Sequence, residues 1–523
     1  MNLSQLLQGF TTLSLPNEID IHHLSLDTRM LERGDLFIAI AGSQQDGRRF
    51  IAEAIQKGAC AVLTEDTHAA INWQNKVPVI SMPGLRNQMG EIAAKFYDFP
   101  ATTMQMIGVT GTSGKTSCTQ FIAAALQYLN VKCGVIGTLG NGLFGAIEPG
   151  YLTTPDAITL QKTFTEFVRQ KATVTTMEVS SHSLDQGRVN AIQFDVGIFT
   201  NLTRDHLDYH HTMEAYGAAK KRLFDQSHFA VINADDEFGK QVLQEFSTRD
   251  NVYSYSSQNI ADVYATDLQL NGLGIKANII TPWGEAQLDS ILVGQFNLNN
   301  LLAVITALCL LKYPLNSVMQ AVNQLQSVEG RMQSFGGNDH QPLVIVDYAH
   351  KPDALEKVLI ALRQQCSGKL FCVFGCGGER DRGKRPLMAK IAEQYADEVI
   401  VTDDNPRHEN AADIVKEILA GFSDVSNVKV EHDRSKAIQD TIRFAGKHDC
   451  VLIAGKGAET YQLIGDEKFP FNDAEKVKEI LGHDNAVIPA QAGIYQDGSP
   501  PSRGRQKPIY IETQWRKHKC LCG

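Results

Sequence analysis

The chain lacks any apolar run that approaches membrane-span length, and its start lacks the basic opening and cleavage pattern of a signal peptide. Both features lead us to expect a cytoplasmic protein without a membrane span. It also lacks an excess of positive charge. The net charge of −10 argues against general nucleic-acid binding. The ten cysteines lack metal-ligand spacing, and several lie inside apolar runs, as reduced core thiols do. Cys520 and Cys522 near His518 read as incidental. With 43% hydrophobic and 21% charged residues the composition is that of an ordinary globular protein, and 523 residues leave room for about three domains.

The richest stretch is Gly108-Val109-Thr110-Gly111-Thr112-Ser113-Gly114-Lys115-Thr116-Ser117. Met104 to Val109 reads as a buried strand, and helical spacing runs from Thr116 to Leu129. A glycine-rich turn at that junction gathers backbone N–H groups at the positive end of a helix, which suits an anion. Lys115 adds a full charge, and Thr116 offers a hydroxyl to a phosphate-bound magnesium ion. The usual first glycine is missing, since Val109 holds its place. The motif still points to a nucleoside triphosphate.

Around this loop the chain alternates strands and helices, which predicts an α/β protein. Residues 1–98 read as a small module, 99–331 as the nucleotide segment, 332–484 as a doubly wound domain and 485–523 as a largely disordered extension. In the extension Arg503, Arg505, Lys507, Arg516, Lys517 and Lys519 face only Asp497 and Glu512. Polar clusters sit just past predicted strands: Glu178-Val179-Ser180-Ser181-His182, Thr200 to Asp208, Asp347 to His350, and Gly455-Lys456-Gly457-Ala458-Glu459. Parallel sheets bind ligands at such ends. Glu178 and His206 would face the triphosphate and could hold metal. Lys220 and Lys221 on one helix read as a solvated face, and Asn297 reads as a helix cap or an adenine contact. Arg380 and Arg407 at adjacent strand ends favour an anionic ligand.

In combination these motifs resemble the Mur ligase family of ATP-dependent amino-acid-adding enzymes. The likeness covers about residues 20–484, and Glu329-Gly330-Arg331 belongs to it too. The resemblance implies three α/β domains: a small N-terminal one, a central ATP-binding domain of the P-loop type, and a Rossmann-like C-terminal one. Asp404-Asn405-Pro406-Arg407 is the pattern of members that add meso-diaminopimelate to UDP-MurNAc-L-Ala-D-Glu. Lysine-adding members lack the arginine.

Site roles follow from the resemblance, position by position. ATP falls to Gly111, Thr112, Ser113, Gly114, Lys115, Thr116, Ser117, Asn297, Arg331 and Asp347. Leu26, Thr28, Ser43, Gln44 and Gln45 match contacts to the uridine diphosphate end. Thr153, Thr154, Ser180, Gln186 and Arg188 match contacts to the muramoyl-dipeptide. Arg380, Asp404, Asn405, Pro406, Arg407, Gly455 and Glu459 match the diaminopimelate site. Lys220 matches a lysine carbamylated by carbon dioxide, and with Thr116, Glu178 and His206 it would surround magnesium. Lys115, Glu178, His206 and Lys220 are the expected catalytic set, in a monomer. Two departures stand out: Ala458 replaces a histidine, and Leu152 an asparagine. Folylpolyglutamate and cyanophycin synthetases are rivals that share the loop and the lysine; a non-catalytic ATP-binding module is a more distant one.

Overall fold

In a computed structural model of the chain, residues 1–482 are described, except 43, 44, 272, 273, 339 and 365. Three mixed sheets carry the fold, and helices cover them. The extension and the turn around Gly272 lie outside the described residues.

The first sheet holds β1 (Leu24–Ser25), β2 (Leu36–Ala39), β3 (Ala61–Glu65), β4 (Ala70–Gln74) and β5 (Val77–Met82), in the order β1-β2-β3-β5-β4. Strands β2, β3 and β5 are largely buried while the edge strand β4 is exposed, and the helix Leu85–Phe96 buries Leu85, Met89, Ile92 and Ala93.

The central sheet contains β6 (Gln105–Thr110), β7 (Cys133–Gly137), β8 (Gly140–Leu143), β9 (Ala146–Glu148), β10 (Val174–Glu178), β11 (Phe194–Phe199), β12 (Ser227–Asn233), β13 (Val252–Ser256), β14 (Val263–Asn271), β15 (Gly274–Thr281) and β16 (Gly284–Ser290). Strand β6 lies between β10 and β11 and is parallel to both. The chain leaves β6 through the helix Lys115–Tyr128 and returns at β7, on the far side of β10. The next strand on the other side is β11, so the order reverses at β6 and opens a crevice at its carboxyl end. Antiparallel hairpins finish both edges. The helix Gln295–Leu310 is apolar nearly all round because it is enclosed: Leu298, Leu301, Leu302, Val304, Ile305 and Leu308 are all out of water. At about 1.5–3 kcal/mol per large side chain, such burial is what anchors this helix behind the phosphate loop.

The third sheet runs β17-β18-β22-β19-β20-β21, with β17 (Gln333–Gly336), β18 (Leu343–Asp347), β19 (Leu370–Phe374), β20 (Glu398–Val401), β21 (Val428–Val430) and β22 (Cys450–Ala454). All pairs but β17–β18 are parallel. Strand β22, last in sequence, inserts between β18 and β19 and again creates a crevice at the strand ends. A hairpin of β23 (Tyr461–Ile464) and β24 (Glu467–Pro470) packs beside it. Among the described residues no helix is long and apolar enough to cross a membrane. Cys118, Cys133, Cys309, Cys366, Cys372, Cys376 and Cys450 are buried free thiols, as their apolar settings predicted.

Candidate active site

The phosphate loop joins β6 to the helix Lys115–Tyr128. Gly114 precedes that helix at φ 85° and no side chain caps it, so the first helical N–H groups are left for a ligand. A side chain at Gly111 (φ 149°) would collide with the Thr200 hydroxyl. The loop is clamped from β11: Thr200 Oγ1 donates to Ser113 O (2.6 Å), and Asn201 Oδ1 accepts from Ser113 N (3.0 Å). Lys115 Nζ donates to Gly111 O (2.8 Å) and Thr112 O (3.1 Å), and desolvation pulls its pKa down to about 8.

Glu178 ends β10 rather than following it, and it is buried. Its carboxylate accepts from Thr116 Oγ1 (2.9 Å), Thr138 N (2.7 Å) and Thr138 Oγ1 (3.1 Å). From there one network runs outward. Thr154 Oγ1 donates to Glu178 O (2.8 Å) and to Ser180 Oγ (3.3 Å), and Arg188 Nη1 donates to Thr154 O (2.7 Å). Arg188 Nε reaches Gln186 Oε1 at 3.0 Å, and Thr153 touches Thr138 through their hydroxyls at 3.2 Å. Five residues expected around the muramoyl-dipeptide thus meet in one network beside Glu178.

Lys220 corrects the solvated-face reading. It is fully enclosed, whereas Lys221 reaches solvent and pairs with Glu245. Lys220 Nζ donates to Gly111 O (2.8 Å), the carbonyl that Lys115 also uses, and lies 4.4 Å from the Tyr216 ring centre. Burial, then the charges of Lys115 and Lys351, push its pKa well below the ordinary lysine value. His206 packs against Tyr216 and His182 and is tied by Nε2 to Asp205 Oδ2 (3.0 Å). Burial alone would raise the Asp205 pKa; His206 and Lys351 hold it far below the carboxylate range instead.

Asn297 is not a cap. It lies inside its helix, Gly294 precedes the first turn, and Asn297 Nδ2 donates back to Val293 O (2.9 Å). Arg331 stacks over Tyr348 (4.3 Å), and its Nη2 lies 3.4 Å from Thr116 Oγ1. Asp347 ends β18 and accepts from Met332 N (2.7 Å) and Ala349 N (2.8 Å), with burial raising its pKa. Lys351 forms an ion pair with Asp205, and Thr203 Oγ1 donates to Asp353 Oδ2 (2.7 Å). These contacts bring the carboxyl ends of the second and third sheets together.

In the third sheet, Asp404, Asn405 and Pro406 are buried after β20, and Gly455 follows β22. Arg407 is half-buried at φ 55°, a strained backbone for a non-glycine residue. The hairpin holds it there through Arg407 N to Leu463 O (3.0 Å) and Gly465 N to Arg407 O (2.8 Å). Its guanidinium donates to Gly378 O (2.8 Å). Arg380 is exposed, and both arginines border Gly377. Asn405 Nδ2 donates to Glu459 Oε2 (2.9 Å), which joins the two loops. In the first sheet, Thr28 is buried with its carbonyl bound by Lys57 Nζ (2.8 Å), Leu26 packs on the core and Gln45 is exposed. Ser43 and Gln44 lie outside the described residues. Among the described residues no hydrogen bond joins Leu26, Thr28 or Gln45 to the Glu178 network.

Thr138, Tyr216, Lys351 and Asp205 hold site residues in place without having been singled out. Asp205 stood in a quoted cluster; a lone threonine, tyrosine or lysine carries no sequence signal of its own.

Family models match along the chain: "Mur ligase family, catalytic domain" over residues 20–97, "Mur ligase middle domain" over 109–308 and "Mur ligase, glutamate ligase domain" over 330–457. The chain is 48% identical to the UDP-N-acetylmuramoyl-L-alanyl-D-glutamate–2,6-diaminopimelate ligase of Coxiella burnetii, over 92% of this chain and 99% of that protein. The like-named ligase of Haemophilus influenzae is 44% identical over 92% of this chain and all of its own length. A solved structure of a ligase with that name superposes with a TM-score of 0.68 at 36% identity, covering 92% of this chain and 98% of its own. MurF ligase from Thermotoga maritima, at 18% identity and TM-score 0.60 over 89% of this chain and 98% of its own, shares the fold. With its three domains, its ATP-binding middle domain and these relatives, the chain belongs to the Mur ligase family.

Proposed function

We propose that this protein is an ATP-dependent ligase that joins meso-diaminopimelate to UDP-MurNAc-L-Ala-D-Glu in peptidoglycan precursor synthesis, acting as a monomer in the cytoplasm. The observation that carries this reading is the 48% identity, over nearly the full length, with the diaminopimelate ligase of Coxiella burnetii, in a chain that keeps Arg407 beside Asp404 and Asn405. The described cysteines are free, which agrees with a reducing compartment.

In this reading the D-glutamate γ-carboxylate attacks the ATP γ-phosphorus, the bond to ADP breaks, and an acyl phosphate forms. Lys115 turns from its loop carbonyls to the phosphates and neutralises charge as it builds, with the uncapped helix end beside it. The amine of diaminopimelate then adds to the acyl carbon, a tetrahedral adduct collapses, and phosphate leaves with the amide formed. Thr153, Thr154, Ser180, Gln186 and Arg188 would hold the dipeptide so that its carboxylate stays beside the loop. Arg407 and Arg380 would take the two carboxylates of diaminopimelate and Glu459 an ammonium. Lysine has no far carboxylate and would leave Arg407 unpaired, which disfavours it.

Thr116 and Glu178, hard oxygen donors 2.9 Å apart, fit a magnesium ion. We propose that they hold it with His206 and a Lys220 carbamate. Bound there, magnesium would screen the repulsion between phosphate and carboxylate. A buried lysine without a carboxylate beside it is suited to carbamylation, because a lowered pKa makes the neutral amine easier to reach, and that amine takes up carbon dioxide with loss of a proton.

Product analysis tests the reading. ATP, UDP-MurNAc-L-Ala-D-Glu and meso-diaminopimelate should yield the tripeptide, ADP and phosphate in equal amounts. ATP hydrolysis without a new amide bond would overturn it.

A further inference from the structure

The loop that follows β22 contains a cation with no outlet to solvent. Lys456 is fully enclosed, flanked by Gly455 and Gly457. Its Nζ donates to Glu459 Oε2 (2.9 Å) and to Asn405 Oδ1 (3.1 Å). Asn405 Nδ2 donates to the same Glu459 oxygen (2.9 Å), so the three side chains close a ring of hydrogen bonds across two loops. Asn405 is fixed further: its Oδ1 accepts from Leu463 N (2.8 Å), and its main-chain oxygen accepts from Gly378 N (3.0 Å) and lies 3.4 Å from Arg407 Nη1. The strand end that launches the loop is fixed as well. Arg434, wholly buried, grips Asp473 through two bonds (2.8 and 2.7 Å) and donates to Ala454 O (3.0 Å).

Two consequences follow from this wiring. A buried ammonium must keep its acidic partner, so Glu459 cannot swing away without stranding Lys456. With Oε2 occupied twice, Glu459 has Oε1 left, and among the described residues Oε1 accepts no hydrogen bond. Glu459 keeps about a quarter of its side-chain surface, 27%, so its carboxylate remains reachable.

We propose that Lys456 is a positioning residue for amino-acid specificity. By holding Glu459 Oε2 and Asn405 Oδ1 it reserves Glu459 Oε1 for the ammonium of the incoming amino acid. Through Asn405 it sets Arg407 at a matching distance for the carboxylate beside that ammonium. The pocket is thereby built for an amino acid whose far end carries both charges. This rests on the ligase reading above and assigns a task to a residue that the reading leaves idle.

The test is steady-state kinetics of the full chain, with each of the three substrates varied in turn. Lys456→Met should raise the KM for meso-diaminopimelate about tenfold or more and lower its preference over L-lysine. The KM values for ATP and UDP-MurNAc-L-Ala-D-Glu should stay within about twofold. Glu459→Gln should raise the same KM, and the double variant should fall well short of the product of the two single effects, because Lys456 acts in part through Glu459. Lys456→Gln, which keeps a donor, should recover part of the loss, and it serves as the probe if Lys456→Met does not fold. A folded Lys456 variant with an unchanged KM for meso-diaminopimelate would overturn the proposal. So would a parallel loss in all three substrates, or additive effects in the double variant. Wild-type turnover that ignores meso-diaminopimelate would instead remove the ligase reading itself, so the two failures are distinguishable.

Discussion

Lys220 and Lys456 are both fully enclosed, Lys220 against the loop that follows β6 and Lys456 in the loop that follows β22. Their surroundings are opposite. Lys220 has one carbonyl, an aromatic face and two other lysines acting on it, so burial and like charge lower its pKa. Lys456 has a carboxylate and an amide oxygen within hydrogen-bond reach, which is the setting of a fixed cation. In the proposed function the same side chain would serve as a nucleophilic amine in one sheet and as a tie in the other. What decides is the partner, not the burial.

Substitutions that break this contrast should differ in size. Lys220→Met leaves nothing to carbamylate and should lower turnover about 10²- to 10³-fold in phosphate release at saturating substrates. Labelled bicarbonate should give a carbamate carbon signal in the wild type that this variant lacks. Arg407→Met should cut the preference for meso-diaminopimelate over L-lysine about 10²-fold, read as the ratio of the two kcat/KM values.

Lys115 allows a test by pH. Its pKa near 8 in the free protein means that the ammonium is lost as pH rises past that value. ATP affinity, measured by equilibrium binding, should therefore weaken above pH about 8, and Lys115→Met should lack that dependence. The contact between the second and third sheets should contribute less. Asp205→Asn and Lys351→Met should couple by about 1 kcal/mol in a double-mutant cycle on ATP turnover, because the pair is largely shielded from water. The smallest effect concerns stability in acid. Arg385 holds the Glu409 carboxyl down to about 2, below the ordinary 4.5. A depressed acid contributes stability that is complete above its unfolded pKa and is lost as pH falls toward the folded one. Between pH 4.5 and about 2 the wild type should lose more stability than Glu409→Gln, in denaturant titrations across that window.

The contrast also shows what local pattern can and cannot carry. The phosphate loop, the strands beside it and the clusters at their ends were legible because apolar runs bounded by glycine and polar residues reflect strand and turn chemistry directly. The apolar runs Phe194–Phe199, Leu370–Phe374 and Glu398–Val401 all form strands. Strand ends elsewhere moved by a residue or two, which placed Glu178 inside β10. Lys220 was misread from composition because two adjacent lysines say nothing about which one tertiary packing turns inward; only the family resemblance singled it out. Asn297 read as a cap or an adenine contact, the cap because asparagine favours that place, yet the helix starts two residues earlier and uses the side chain against Val293 O. Lys456 stood in a quoted motif without a task, since its partner Asn405 is distant in sequence and meets it only when β22 inserts beside β19. Lys351 gave no signal for the same reason: its partner lies on another sheet.

The most direct measurement is a competition assay. The wild-type protein is given ATP, UDP-MurNAc-L-Ala-D-Glu and equal amounts of meso-diaminopimelate and L-lysine, and the products are weighed by mass spectrometry. The diaminopimelate tripeptide should account for nearly all product. A mixture dominated by the lysine tripeptide would contradict the assignment of the Arg407 pocket and, with it, the function proposed for this chain.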